Sequence, residues 1–412
     1  MDRIKLCVIT PEFLPVWGGA GTYVVELVRH LPKDIEVHVV TPMREGFGEK
    51  KVSTSDYDFS EYFGDNIHVH FVCKATDTFI YNASFQLACL RHVPKLVKKE
   101  GIDLIHIGHH MAGLLLELKG LNIPTVTTIH NTIQDQRDGT KMSGMRFWDL
   151  EFSEKAIYLT YAFLRLAEII YFLKPRYYVT ISKWMKRQLE NNFHIAGSIR
   201  VIPSSVDIND YKSTKHDTIL ESQIPQELRD RRMILYVGRL LAMKGVDILM
   251  EAIPKILKGV GKDELLFVFA GPGDRIPFLN KLKEMKVESS CLFTGPLPKE
   301  AIIQLMTSAE LVAVPSFHEN IPYVVLESMA CGTPVIASNV GGIPEIIRNK
   351  YNGILVEPGY STVLANAVIG LLEDKSLRNL IGQRARETII QKFSWTANLP
   401  KYLEVYSECL NH

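Results

Sequence analysis

With 412 residues, 46% of them hydrophobic and 23% charged, the chain has the composition of a soluble globular protein and the length for two or three cores of ~150 residues each. A net charge of +1 removes any electrostatic case for bulk nucleic-acid binding. Six cysteines without paired spacing exclude a zinc ribbon and suit a reduced, cytoplasmic protein, and the opening MDRIKLCVIT runs into a strand with no leader pattern.

In chain order, short apolar runs predict strands over 5–10, 36–41, 68–72, 104–107, 125–129 and 177–180, separated by helical stretches such as 22–30 and 85–99. The apolar stretch 156–173 carries Arg165 and Glu168 and reads as a buried helix rather than a membrane-facing one. The basic stretch 90–99 reads as a solvated amphipathic helix, with peripheral contact to an anionic membrane as the alternative. A second series of strands follows over 200–202, 233–237, 265–270, 291–294, 311–314, 334–337 and 353–356. Helical patterns at 247–256, 276–284, 299–307, 323–330 and 362–372 alternate with it. The polar segment 207–232 separates the two series. The expectation is an α/β protein of two doubly wound, Rossmann-like domains with a ligand cleft at the carboxyl ends of their strands.

Three stretches carry chemistry. Gly18, Gly19 and Gly21 lie between the first strand and a helix, where backbone N–H groups and the helix N-terminus suit an anion. A dinucleotide fingerprint fits poorly, because its third position is Val24 and the second strand ends at Thr41 without an acid for ribose. Gly238-Arg239 and Lys244-Gly245 place a planar cation and a point charge ahead of a helix, a pairing suited to a diphosphate without a metal. Glu319 falls in the loop before a helix that Pro322 can open at its first position, and Glu327 falls in the second turn of that helix. Each carboxylate accepts hydrogen bonds in two directions, which recognition of a vicinal diol requires. Taken singly, these features also fit a structural turn, solvated charges and a helix cap.

Together, PSFHENIPYVVLESMACGTPVIA with GGIPE (341–345), VGRL with KG, NGILVEPG (352–359), FSW (393–395), GGAG and TIHN (128–131) resemble the motifs of family-4 retaining glycosyltransferases of the GT-B fold. The resemblance implies an acceptor-binding domain over 1–206, a donor-binding domain over 207–392 and a final helix over 393–412 that returns to the first domain. It implies a hexose-type sugar moved from a nucleotide diphosphate with retention, no metal, no tightly bound cofactor and a UDP, GDP or ADP donor. Arg239 and Lys244 would bind the diphosphate. Glu319, with Asn320 and Ile321, would meet the transferred sugar, and Glu327 would hold the ribose. Gly18 and Gly19 would approach the β-phosphate, His130 would sit at the sugar's 6-position, and Leu297 would meet the base. The chain departs from the family pattern at Asn320-Ile321-Pro322, where two glycines are usual, and at Ser204-Ser205, where Asn-Gly is customary.

Alternatives are a non-catalytic sugar-nucleotide-binding subunit and a glycan phosphorylase, which would need pyridoxal phosphate on a lysine. His106, His109 and His110 read as lining or structural rather than metal ligands, and Asp56 and Asp58 as solvated. Trp148 and Phe147 are assigned to core packing in preference to stacking on a sugar. Localisation is expected to be cytoplasmic or peripheral at the inner membrane face, and the acceptor is left open.

Overall fold

The computed structural model of the chain describes residues 4–14, 18–47, 50–53, 59, 63–75, 78–174, 176–195, 197–211, 224–261 and 264–411. It divides into two compact units, one made of Met1–Gln134, Lys155–Ser205 and Trp395–His412, the other of Asp135–Glu154 and Val206–Ser394. Asp56 and Asp58 lie outside the described residues.

The first series of elements is β1 (Lys5–Ile9), α1 (Gly19–His30), β2 (Glu36–Phe47), β3 (Lys50–Ser53), β4 (Ile67–Ala75), α2 (Thr78–Glu100), β5 (Leu104–Ile107), α3 (Leu114–Lys119), β6 (Thr125–Ile129), α4 (Ile133–Met142), α5 (Phe152–Phe172), β7 (Tyr177–Thr180), α6 (Lys183–Asn192) and β8 (Ser198–Val201). The sheet runs β3-β2-β1-β5-β6-β7-β8 with β4 on β2. Its pairs are parallel apart from β3 on β2. Parallel strands buried on both faces read as continuous apolar runs, as in β1, whose Leu6, Cys7, Val8 and Ile9 are fully buried. Phe85, Cys89 and Val93 of α2 pack on Cys7, Ile9, Val40, Ile105 and Ile107, while Arg91, His92, Lys95, Lys98 and Lys99 face outward.

Three expectations about these elements are corrected by the structure. The strand expected over 36–41 continues to Phe47, and β3 pairs with its extension. The strand expected over 200–202 in the second series is β8, which pairs with β7 as an edge of the first sheet. Its alternating exposure leaves too few buried apolar residues to show which sheet it joins. The stretch 156–173 is helical but buried on one side only, with Leu159 and Phe163 78% and 74% exposed.

The second series is β9 (Arg232–Val237), α7 (Val246–Val260), β10 (Leu265–Ala270), α8 (Ile276–Glu284), β11 (Cys291–Gly295), α9 (Lys299–Ser308), β12 (Leu311–Val314), α10 (Tyr323–Ala330), β13 (Val335–Ser338), α11 (Ile343–Ile346), β14 (Ile354–Val356), α12 (Ser361–Glu373) and α13 (Lys375–Lys392). Its sheet runs β11-β10-β9-β12-β13-β14, every pair parallel. The chain starts in the middle at β9, winds out to β11, then crosses back to β12. The reversal between β9 and β12 is the switch point at which doubly wound sheets open a crevice at their carboxyl ends. The core joins Phe267 and Phe269 of β10 to Ile253 and Ile256 of α7 and Leu364 and Val368 of α12.

Residues 135–154 belong to this second unit although they fall among the elements of the first sheet. Asp135 lies 3.8 Å from His318, and Glu151 pairs with Arg239. The last helix, α14 (Trp395–Leu410), belongs to the first unit. Its Tyr406 hydroxyl meets His106 Nδ1 at 2.6 Å, while His106 Nε2 meets Thr128 Oγ1 at 2.8 Å. Asn398 Nδ2 donates to Ser205 Oγ, which donates in turn to the Pro203 carbonyl. Ser205 is thus buried and hydrogen-bonded, whereas the Ser204 hydroxyl is buried with no hydrogen-bond partner among the described residues, and neither residue adopts positive φ. Trp148 is 81% exposed, which overturns its assignment to the core. No helix among the described residues is long and apolar enough to cross a membrane.

Candidate active site

The loop after β9 is built by glycines. Gly238 has φ 154°, and its N–H donates to Ala270 O at 2.9 Å; a Cβ on Gly271 would stand 2.1 Å from Gly238 O. The Tyr236 hydroxyl donates to Arg239 O at 2.8 Å, holding the backbone while the guanidinium projects outward. Arg239 Nη2 lies 3.1 Å from Glu151 Oε2. Farther on, Gly245 takes φ +65°, and a Cβ there would stand 2.1 Å from Pro315 O. That close approach, with Phe317 N–H donating to Met243 O, clamps the β9 loop to the loop after β12. The clamp aims Lys244 at Glu319, with Nζ 2.6 Å from Oε1, and the Ser316 hydroxyl donates to the same oxygen at 2.9 Å.

Glu319, Asn320 and Ile321 are buried. They are held from behind by Gly341 and Gly342: at Gly341, with φ +55°, a Cβ would stand 1.7 Å from Glu319 O, and at Gly342 one would stand 2.4 Å from Asn320 O. Gly342 N–H donates to Glu319 O. α10 begins at Tyr323, as its helical pattern predicts, but Pro322 is the N-cap rather than the first helical residue. Glu327, in the second turn of α10, accepts from the Tyr211 hydroxyl at 3.2 Å. Leu297 is half-buried in the loop after β11. Arg239, Lys244 and Glu319 therefore sit on the two loops that flank the switch point of this sheet.

The first unit holds the other candidates. Gly18 is the N-cap of α1 and Gly19 its first residue; a Cβ on Gly18 would stand 3.0 Å from a Glu12 carboxylate oxygen. A carboxylate thus stands beside a helix N-terminus suited to anions. His130 directly follows β6, and its Nε2 lies 3.0 Å from Gly108 O. A carbonyl only accepts, so Nε2 carries the proton and Nδ1 is an acceptor. Burial pushes the His130 pKa down to about 4, so the ring is neutral at pH 7.

His106 is held down to about 3 by the same desolvation. Between pH 6.5 and 4 the unfolded chain binds protons that these two native rings refuse, so their contribution to stability is full above pH 6.5 and falls with pH. Urea unfolding at pH 5 is expected to show about 2 kcal/mol less stability per ring than at pH 7. His106→Gln should flatten that slope.

His110 Nε2 donates to buried Glu168, and the His106 nitrogens are engaged by Tyr406 and Thr128, so these histidines serve the packing. Among the described residues, Glu36, His38 and His68 form a compact group of metal-ligating type, but Lys5 lies 3.7 Å from Glu36 and supplies a cation there already. Sequence reasoning missed Ser316, although it lies within the PSFHEN stretch, and Glu151, which carried no signal. It quoted Gly341-Gly342 without identifying the backbone contact that requires them.

Residues 17–210 match the family model "Glycosyltransferase Family 4", and residues 218–388 match "Glycosyl transferases group 1". An uncharacterized glycosyltransferase of Methanocaldococcus jannaschii is 29% identical over 98% of both chains. Sucrose-phosphate synthase from Thermosynechococcus elongatus superposes with a TM-score of 0.78 at 20% identity, covering 98% of this chain and 99% of that one. HepE of Anabaena, solved with UDP-glucose, gives 0.73 at 19% identity over 98% and 100% of the two chains.

Proposed function

Because the chain belongs to the family-4 glycosyltransferases of the GT-B fold, enzymes that use nucleotide sugars, we propose that it transfers a hexose with retention of anomeric configuration. The observation that carries this reading is the Lys244–Glu319–Ser316 cluster at the switch point, with Arg239 on the same loop as Lys244. Two cations can take a donor diphosphate, and a carboxylate whose backbone is locked by Gly341 and Gly342 can hold sugar hydroxyls beside it. In the proposed reaction the anomeric C–O bond breaks and the nucleoside diphosphate leaves with the electron pair. The acceptor oxygen bonds to the same face, and its proton passes to the departing phosphate oxygen. Positive charge aimed at the leaving group is the largest contribution. Glu327 is assigned to the ribose and Leu297 to the base. Gly18 and Gly19 are assigned to the β-phosphate and His130, through Nδ1, to the sugar.

HepE was solved with UDP-glucose, so a uridine donor is the first to test. Calorimetry with UDP, GDP and ADP sugars on wild type and Arg239→Ala should give micromolar binding of one nucleotide, lost in the variant. Proton NMR of the product should show the anomeric configuration of the donor; inversion would refute retention. Glu151 pairs with Arg239, so a donor diphosphate held by Arg239 would compete with that carboxylate. Since this pair is partly exposed, Glu151→Gln is expected to tighten nucleoside-diphosphate binding only roughly two- to fivefold.

A further inference from the structure

The outward face of α5 is inverted. Of residues 155–174, those exposed are Leu159, Ala162, Phe163, Leu166, Ile169, Ile170 and Leu173, none of them polar. The charged residues of the same helix turn inward. Glu168 is fully buried, accepting from Ile133 N–H and pairing with His110 and Arg165, and the Arg165 guanidinium lies 3.8 Å over the Phe193 ring. A surface helix of a monomer normally shows water its polar side. Here Arg165 and Glu168, the charged residues of the helix middle, are spent on their own unit, and the apolar stripe is left out.

We propose that this stripe is a self-association surface, on which α5 of a second copy of this chain packs antiparallel about a two-fold axis. Leu159, Phe163, Leu166, Ile170 and Leu173 follow one another at intervals of four, three, four and three residues, the spacing of a helix-on-helix seam in which knobs fill holes. Their exposures run from 40% to 78%, and Ile169 adds 39%. At about 200 Å² for a large side chain, the stripe offers on the order of 700 Å², close to the roughly 800 Å² that each partner gives to a standard interface. Antiparallel packing also sets the two helix dipoles against each other favourably. A bilayer fits less well, because a helix lying on lipid carries cations along its polar flank, and Arg165 is turned away onto Glu168.

Sedimentation velocity of the full chain over a concentration series tests the proposal. Wild type is expected to be a dimer, and Phe163→Glu/Leu166→Glu to raise the dimer Kd roughly 30-fold or more. Both side chains are over half exposed, so the circular dichroism spectrum and melting of the variant monomer should report an intact fold. Leu166→Cys, near the middle of the stripe, is expected to give a disulfide-linked dimer on mild oxidation, a second readout independent of charge. A monomeric wild type overturns the proposal; if that monomer then floats with phosphatidylcholine–phosphatidylglycerol vesicles and the double variant does not, the stripe is a lipid surface. A variant that stays dimeric overturns it as well. No donor or acceptor enters these measurements, so they stand apart from the proposed reaction.

Discussion

Lys244→Ala is expected to lower kcat at saturating donor by about 10²–10³-fold, the usual cost of removing one preorganised group that stabilises developing negative charge. Lys244 Nζ lies 2.6 Å from Glu319, on a loop clamped to β12 through Gly245, so its position is set before any ligand arrives. A rate within threefold of wild type would remove it from the leaving group. The substitution also strands a buried carboxylate with Ser316 as its remaining described partner, at a cost of about 1–3 kcal/mol. Adding Glu319→Gln to Lys244→Ala should therefore recover much of the melting temperature without recovering the rate. A rate that recovered together with stability would mean that the lysine acts only through folding.

Gly341→Ala is expected to be nearly as damaging although residue 341 carries no functional group. An alanine at φ +55° is strained by about 1–3 kcal/mol, and its Cβ would fall 1.7 Å from Glu319 O. The loop bearing Glu319, Asn320 and Ile321 must move, and a displacement near 1 Å at a reacting centre costs on the order of 100-fold in turnover. Gly370→Ala is the control: it lies within α12, with nothing within 4 Å of its Cβ, and should stabilise the chain by about 0.5–1 kcal/mol. Full activity in Gly341→Ala would show that the backbone contact does not position Glu319.

The elements that the sequence announces are those whose burial is uniform. β10 and β12 are buried along their whole length and stand where their apolar runs predict. β8 alternates in exposure, and its sheet could not be read from four residues. α5 misled in a different way. Its apolar content implied burial, yet Arg165 and Glu168 took the inner side and Leu159, Phe163 and Leu166 the outer, a choice made by partners on β5-adjacent loops and α6 rather than by the helix itself.

At the candidate site, Arg239, Lys244 and Glu319 were legible because each lies within a short motif beside a strand end, and a strand end followed by a glycine turn says where a side chain emerges. Glu151 was not legible, since its contact with Arg239 spans 88 residues and depends on 135–154 joining the second unit. The sequence by itself determined the alternation of strands and helices, the turns that require glycine and the charges available at them, because backbone geometry and burial act over a few residues. Only the tertiary structure decided which acid each cation faces, which glycine supports Glu319 and which side of α5 meets water, because those outcomes depend on groups far apart in the chain competing for the same neighbours.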